Sequence, residues 1–114
     1  MERSARTTPY EVSQGLIRVN IQPPAEAEAD EAAAWYEAQQ PGLGIEFLLE
    51  LDAAIERTTE TPVAYGPIFQ EVRRVLLRRF PYAVYFLFEG ELVEVFAVVH
   101  QQRTPSRWQS RARR

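Results

Sequence analysis

His100 is the one histidine of this chain, and it closes the last apolar run, Leu92 to His100 (LVEVFAVVH). Imidazole takes up and releases a proton near neutrality, so a lone histidine at a strand end is a candidate general acid or base; a structural or partner-contacting role is the alternative. The cations are all arginine, thirteen of them, and the guanidinium fork matches a carboxylate or a phosphate through two parallel bonds. Arg73, Arg74, Arg78 and Arg79 crowd one short stretch. They read either as an anion-facing strip or as partners of the chain's own acids, exposed pairs that each contribute under about 1 kcal/mol. Arg103 and Arg107 flank Trp108, residue types that often dominate interfaces; a tryptophan capping the core edge beside solvated arginines is the alternative. The absence of cysteine excludes disulfides and thiolate metal sites, and neither a metal nor a cofactor is expected.

The net charge of -3 conceals a division. Residues 24–60 carry ten acids against Arg57 alone, whereas residues 61–114 carry nine arginines against four acids. One acidic solvated face and one anion-seeking face are therefore expected. At 114 residues, 46% apolar and 25% charged, the chain has the length and balance of one globular domain. No apolar stretch approaches the roughly 18 residues that span a bilayer, and residues 1–15 lack the apolar run of a signal peptide. A cytoplasmic protein without membrane contact is the expectation.

Three kinds of element must position these groups. Leu16 to Gln22 alternates Ile17, Val19 and Ile21 against polar neighbours, a half-buried strand that Pro23 and Pro24 end. Ala25 to Gln40 then reads as a helix with an inner stripe of Ala29, Ala32, Ala33 and Tyr36 and acids in its early turns. Trp35 and Tyr36 are read as core and helix-packing residues. Pro41-Gly42-Leu43-Gly44 breaks the helix, and Ile45 to Thr59 forms a second one with Leu48, Leu51, Ala54, Ile55 and Thr58 inward. Near residue 60 the period changes. Phe69 to Leu77 reads as a strand disturbed at Arg73-Arg74, which hints at a bulge or a re-aimed side chain there; Tyr82 to Phe88 reads as a central strand, apolar on both parities; Leu92 to His100 is its hairpin partner. The fold class is α+β in the order β-α-α-β-β-β, a mainly antiparallel sheet with the helical hairpin on one face and the other face left for a partner or substrate. Leu48, Leu51, Ile55, Val84, Phe86, Val95 and Val98 should be among the best-buried residues of a single core. Residues 1–15 are expected to be a disordered extension, 16–108 the domain, and 109–114 an arginine-rich tail.

Trp35-Tyr36-Glu37, Pro41-Gly42-Leu43-Gly44, Phe47-Leu48, Val72-Arg73-Arg74, Arg79-Phe80-Pro81-Tyr82, Val84-Tyr85-Phe86 and Val99-His100 with Arg103, Pro105 and Trp108 occur in an order and spacing similar to RelE/ParE-type toxins, the plasmid-stabilisation proteins. The resemblance is closer to the ParE-like branch. It implies the toxin of a bacterial type II toxin-antitoxin system, which inhibits growth, acts on DNA gyrase and is neutralised by a cognate antitoxin, with a higher-order complex between the two. Under it Arg103, Arg107 and Trp108 are target-binding residues, and Arg73, Arg74 and Arg78 antitoxin-binding ones. The alternatives are a ribosome-dependent mRNA endoribonuclease of the RelE kind, metal-independent, or an interaction module without toxicity.

In the mRNA-cleaving relatives a histidine at a similar place moves the proton, and cations surround the scissile phosphate. His100 with Arg73, Arg74 and Arg79 would fill those roles. Two departures count against the enzyme: Tyr82 stands where those relatives carry an arginine, and no tyrosine stands at the C-terminus.

Overall fold

The computed structural model describes residues 6–12 and 15–102, with side chains from Ile17 onward. Strands β1 (Arg6–Val12) and β2 (Gly15–Ile21) lead into helices α1 (Pro23–Gln39) and α2 (Leu43–Glu60); a 3₁₀ turn, Pro62–Ala64, precedes β3 (Arg73–Leu76), β4 (Tyr82–Glu89) and β5 (Leu92–His100). From β2 onward this is the expected order. The strands form one mixed sheet in the order β1-β2-β5-β4-β3, antiparallel throughout except where β2 runs parallel to β5. Both helices and two further strands separate β2 from β5 in sequence, the long connection that a parallel pair requires.

Within residues 1–15, of which 1–5, 13 and 14 lie outside the described residues, Arg6–Val12 departs from the expectation. Instead of a disordered extension, this segment pairs antiparallel with β2 from Arg6↔Ile21 to Val12↔Gly15. Thr7, Thr8, Tyr10 and Val12 have strand propensity, and the outer edge of β2 supplies the backbone partners. The third strand is also shorter than Phe69 to Leu77. Gln70 adopts φ 53, Phe69 and Val72 close a tight turn through the Val72 N-H to the Phe69 carbonyl at 2.8 Å, and the Ile68 N-H donates to the Val72 carbonyl at 2.7 Å. The chain is therefore ready for the ladder only at Arg73.

The helices are joined by a close contact. Gly42 takes φ 91, a left-handed conformation that costs glycine little, and α2 starts at the next residue. The Glu37 carboxylate accepts the Gly42 N-H at 3.0 Å and the Gly44 N-H at 3.0 Å, satisfying donors at a helix start that carries no side-chain cap of its own. A Cβ on Gly44 would lie 2.6 Å from the Ala33 carbonyl oxygen. The alanine stripe of α1 and this glycine together set the helix-helix distance.

The helix-facing core holds Leu51, Ile55, Val84, Phe86, Val95 and Val98, all buried, with Leu48 only partly so. Phe47 is fully buried and its ring meets Tyr36, Phe80 and Tyr82. The expectation of a single core, with the other sheet face left for a partner or substrate, is corrected here. Val72, Ala83, Tyr85, Phe96, Ala97 and Val99 form a second buried cluster there. The register explains its composition, because the pairing steps from Tyr85↔Ala97 to Phe86↔Val95 and leaves Phe96 as the extra residue of a β-bulge. Up to Val95 the odd residues of β5 face the helices; beyond the bulge Val98 does, and Phe96 joins Ala97 on the far face. The bulge lies in the β4-β5 pair, not at Arg73-Arg74.

Candidate functional site

The bulge decides where His100 looks. Cross-strand neighbours share a sheet face, and His100 pairs with Tyr82, which packs against the helix-side core. The two rings meet edge to face at 5.3 Å. His100 Nδ1 accepts the Gln102 N-H at 3.2 Å, so the other ring nitrogen is the one available to a partner. Across from it runs α1. Glu28, Glu31, Ala32, Trp35 and Tyr36 recur at helical spacing and, with Pro81, Tyr82, Val98, Val99 and His100, line a groove of about 840 Å³.

Tyr36 is the hinge of this wall. Its ring contacts Trp35 at 5.2 Å, Phe47 at 5.4 Å and Phe80 at 4.8 Å, tying the groove to the core. Burial, and then the neighbouring Tyr82 hydroxyl, push the Tyr36 phenol above its ordinary value of 10.0. Trp35, by contrast, is 59% exposed and not the core residue expected from its type. It lies one residue, about 100° of helix, away from the buried stripe that ends at Tyr36.

The backbone of β5 forms the groove's floor. Beyond Val95, whose carbonyl accepts the Gln22 N-H at 2.9 Å, no described strand pairs with the outer edge of β5. The Val98 N-H points outward there and is taken by Glu28 Oε1 at 2.9 Å. In an antiparallel strand the N-H and C=O of alternate residues face the same side, so the Val98 carbonyl and the His100 N-H face outward as well.

Among the described residues the arginines do not gather around His100. Arg73 Nη1 donates to the Tyr65 carbonyl at 2.5 Å, which fastens the loop before β3. Arg74 pairs with Tyr85, whose ring belongs to the far-face cluster, so the sheet stands between Arg74 and His100. Two strand spacings and three residues along the ladder also separate them, about 10 Å in each direction. Arg79 pairs with Glu46 at 2.7 Å and lies over the Phe80 ring at 5.4 Å. Its guanidinium is raised above its ordinary value by the hydrogen bond to Glu46. Arg78 offers its backbone N-H to Glu50 at 2.7 Å while its side chain is exposed. The acids of α2 thus hold the β3-β4 connection; Arg74, Arg78 and Arg79 are exposed, Arg79 in its pair with Glu46. Arg103, Arg107 and Trp108 lie outside the described residues. Among the described residues no cluster of three or more metal-ligating side chains occurs, and no helix is long and apolar enough to cross a membrane.

Sequence reasoning passed over Glu28, Glu31 and Trp35 as a site. The signal was there in their 28, 31, 35 spacing, one face of a helix, but only the bulge brings the end of β5 beside it.

The family model for the ParE toxin of the type II toxin-antitoxin system, parDE, matches residues 19–105. The chain belongs to the ParE toxin family. Among its relatives is Toxin ParE2 of Mycobacterium tuberculosis, in strains CDC 1551 / Oshkosh and H37Rv, 28% identical over 90 residues that cover 78% of this chain and 86% of the relative. A solved structure titled "Chromosomal ParDE TA system from P. aeruginosa" superposes with a TM-score of 0.63 over 70% of this chain and 90% of that one. At 14% identity that likeness speaks for the fold. The family match begins within β2, so β1 lies ahead of the ParE-matched region, whereas both walls of the groove lie inside it.

Proposed function

We propose that this ParE-family protein inhibits growth by binding DNA gyrase rather than by cleaving RNA, and that a cognate antitoxin neutralises it in the cytoplasm. The observation that carries the reading is that, among the described residues, Arg73, Arg74 and Arg79 do not stand beside His100. Phosphodiester cleavage needs cations beside the proton carrier as charge builds on the phosphate oxygens. Here Arg74 stands on the opposite sheet face, and Arg73 and Arg79 are held by Tyr65 and Glu46. Under this reading Arg103, Arg107 and Trp108 are the gyrase-contacting residues. The exposed Arg74 and Arg78, with Arg73, form the antitoxin-facing strip, and toxin and antitoxin assemble into a higher-order complex. The ParDE title of the P. aeruginosa structure supports an antitoxin partner.

Induced expression, scored in parallel for growth arrest, DNA-damage response and mRNA cleavage, tests the proposal. Arrest with a damage response and intact mRNA is the expected outcome. Arrest with cleaved mRNA and no damage response would replace it with the ribonuclease reading.

A further inference from the structure

We propose that β1 is a built-in guard of the sheet, covering within the chain itself the edge on which β2 would otherwise pair with β2 of a second copy, while Pro9 stops the sheet from growing past it. The inference rests on the pairing of β1 and β2 and not on the toxin reading. The Arg18 and Gln22 N-H groups donate to the Glu91 and Val95 carbonyls at 2.9 Å, so the even-numbered residues of β2 turn their backbone groups toward β5. Successive residues of a strand alternate in this respect. Ile17, Val19 and Ile21 therefore turn theirs toward β1, where they face Tyr10, Thr8 and Arg6. Pro9 stands opposite Arg18, in a pair whose backbone groups point away from each other. The N-H that proline lacks thus belongs to the outer edge of β1, and its loss leaves the β1-β2 ladder intact. Among the described residues no strand lies beyond that edge, and Pro9 leaves a gap there between the outward donors of Thr7 and Glu11. The β2 edge beneath has no such gap and is self-complementary. An antiparallel copy centred on Val19 sets Ile17 opposite Ile21, so all three residues pair at once in a two-fold arrangement.

The test follows amide hydrogen exchange and sedimentation of the full-length, ¹⁵N-labelled protein and two variants over one dilution series. Thr8→Pro combined with Pro9→Thr keeps the composition and moves the missing donor to the inner side of β1. In dilute solution the Ile17, Val19 and Ile21 amides of this variant should lose protection by at least about tenfold, as a broken ladder bond implies. They should regain it as the variant self-associates on concentration. The Arg18 and Gln22 amides, bonded toward β5, should stay protected throughout and report the intact fold. Pro9→Thr alone restores the outer donor. Its Ile17, Val19 and Ile21 amides should remain protected at every concentration, while those of Thr7 and Glu11 gain protection as it self-associates. Wild type should show neither change. The proposal is overturned if the wild-type Ile17, Val19 and Ile21 amides exchange as fast as those of the double variant. It is overturned equally if the double variant stays monomeric with these amides unprotected, or if Pro9→Thr behaves as wild type. Should the double variant also lose protection at Arg18 and Gln22, Pro9→Thr decides alone.

Discussion

Replacing Gly44 by alanine sets two effects of opposite sign against each other. Within a helix alanine is favoured over glycine by about 1 kcal/mol, so at an open position the substitution stabilises. At Gly44 the new methyl lies 2.6 Å from the Ala33 carbonyl oxygen, about 0.7 Å inside an ordinary carbon-oxygen contact of roughly 3.3 Å. It also meets Glu37 Oε1 at 3.0 Å, the oxygen that accepts the Gly44 N-H. The nearest atom is helix backbone and cannot rotate away. Either α2 shifts or the Glu37 bonds weaken, and overpacking of this kind typically costs about 1–3 kcal/mol. Because the contact is with backbone the upper part of that range applies, and we expect a net loss of about 1–2 kcal/mol, a fall in Tm of roughly 4–16 °C at about 4–8 °C per kcal/mol. Two other glycines serve as controls in the same thermal and urea unfolding series. Gly66→Ala meets nothing within 4 Å and should change stability by less than about 0.5 kcal/mol. Gly42→Ala meets nothing either but must hold φ +91, and should cost about 1 kcal/mol through backbone strain alone. A Gly44→Ala protein as stable as wild type, or more so, would refute the claim that close backbone approach sets the helical hairpin.

Phe47 is fully buried among Tyr36, Phe80 and Tyr82, so Phe47→Ala should cost about 3–5 kcal/mol in urea denaturation with an unchanged slope. Because the folded Tyr36 phenol is held above 10.0, it contributes stability that is complete below that value and lost as pH rises through the folded one; Tyr36→Phe should flatten the alkaline decline in Tm. Arg79→Ala removes an exposed ion pair and should leave the thermal midpoint within the scatter of replicate scans. Trp108→Ala combined with Arg103→Ala and Arg107→Ala should abolish growth arrest while circular dichroism shows retained folding.

The helices and the three C-terminal strands were legible in the sequence because their signals are local. The alanine stripe of α1, the proline stops and the Gly90 turn each act within a few residues. What escaped the sequence depends on register and on neighbours. An alternating reading of Leu92 to His100 cannot reveal that Phe96 is bulged, since every residue from Val95 to Val99 is apolar and either parity fits a core. That one extra residue turns His100 toward α1 and builds the groove. Trp35 is misread by type, because a large aromatic suggests the core while its position beside the stripe places it at the rim. β1 carries only weak local propensity, and its strand state rests on the edge of β2. Glu37 gave no cap signal at all, because it satisfies the helix that follows its own.

The account stands most directly on one comparison, His100→Gln against wild type, expressed to equal levels and scored for growth arrest with sequencing of mRNA ends. A positioned proton carrier typically contributes about a hundredfold to ten-thousandfold in rate, so an enzyme would lose nearly all activity with that side chain. The contact-poison account predicts that the folded variant remains toxic and that neither protein yields cyclic-phosphate mRNA ends. A folded, non-toxic His100→Gln protein beside a wild type that leaves such ends would contradict it.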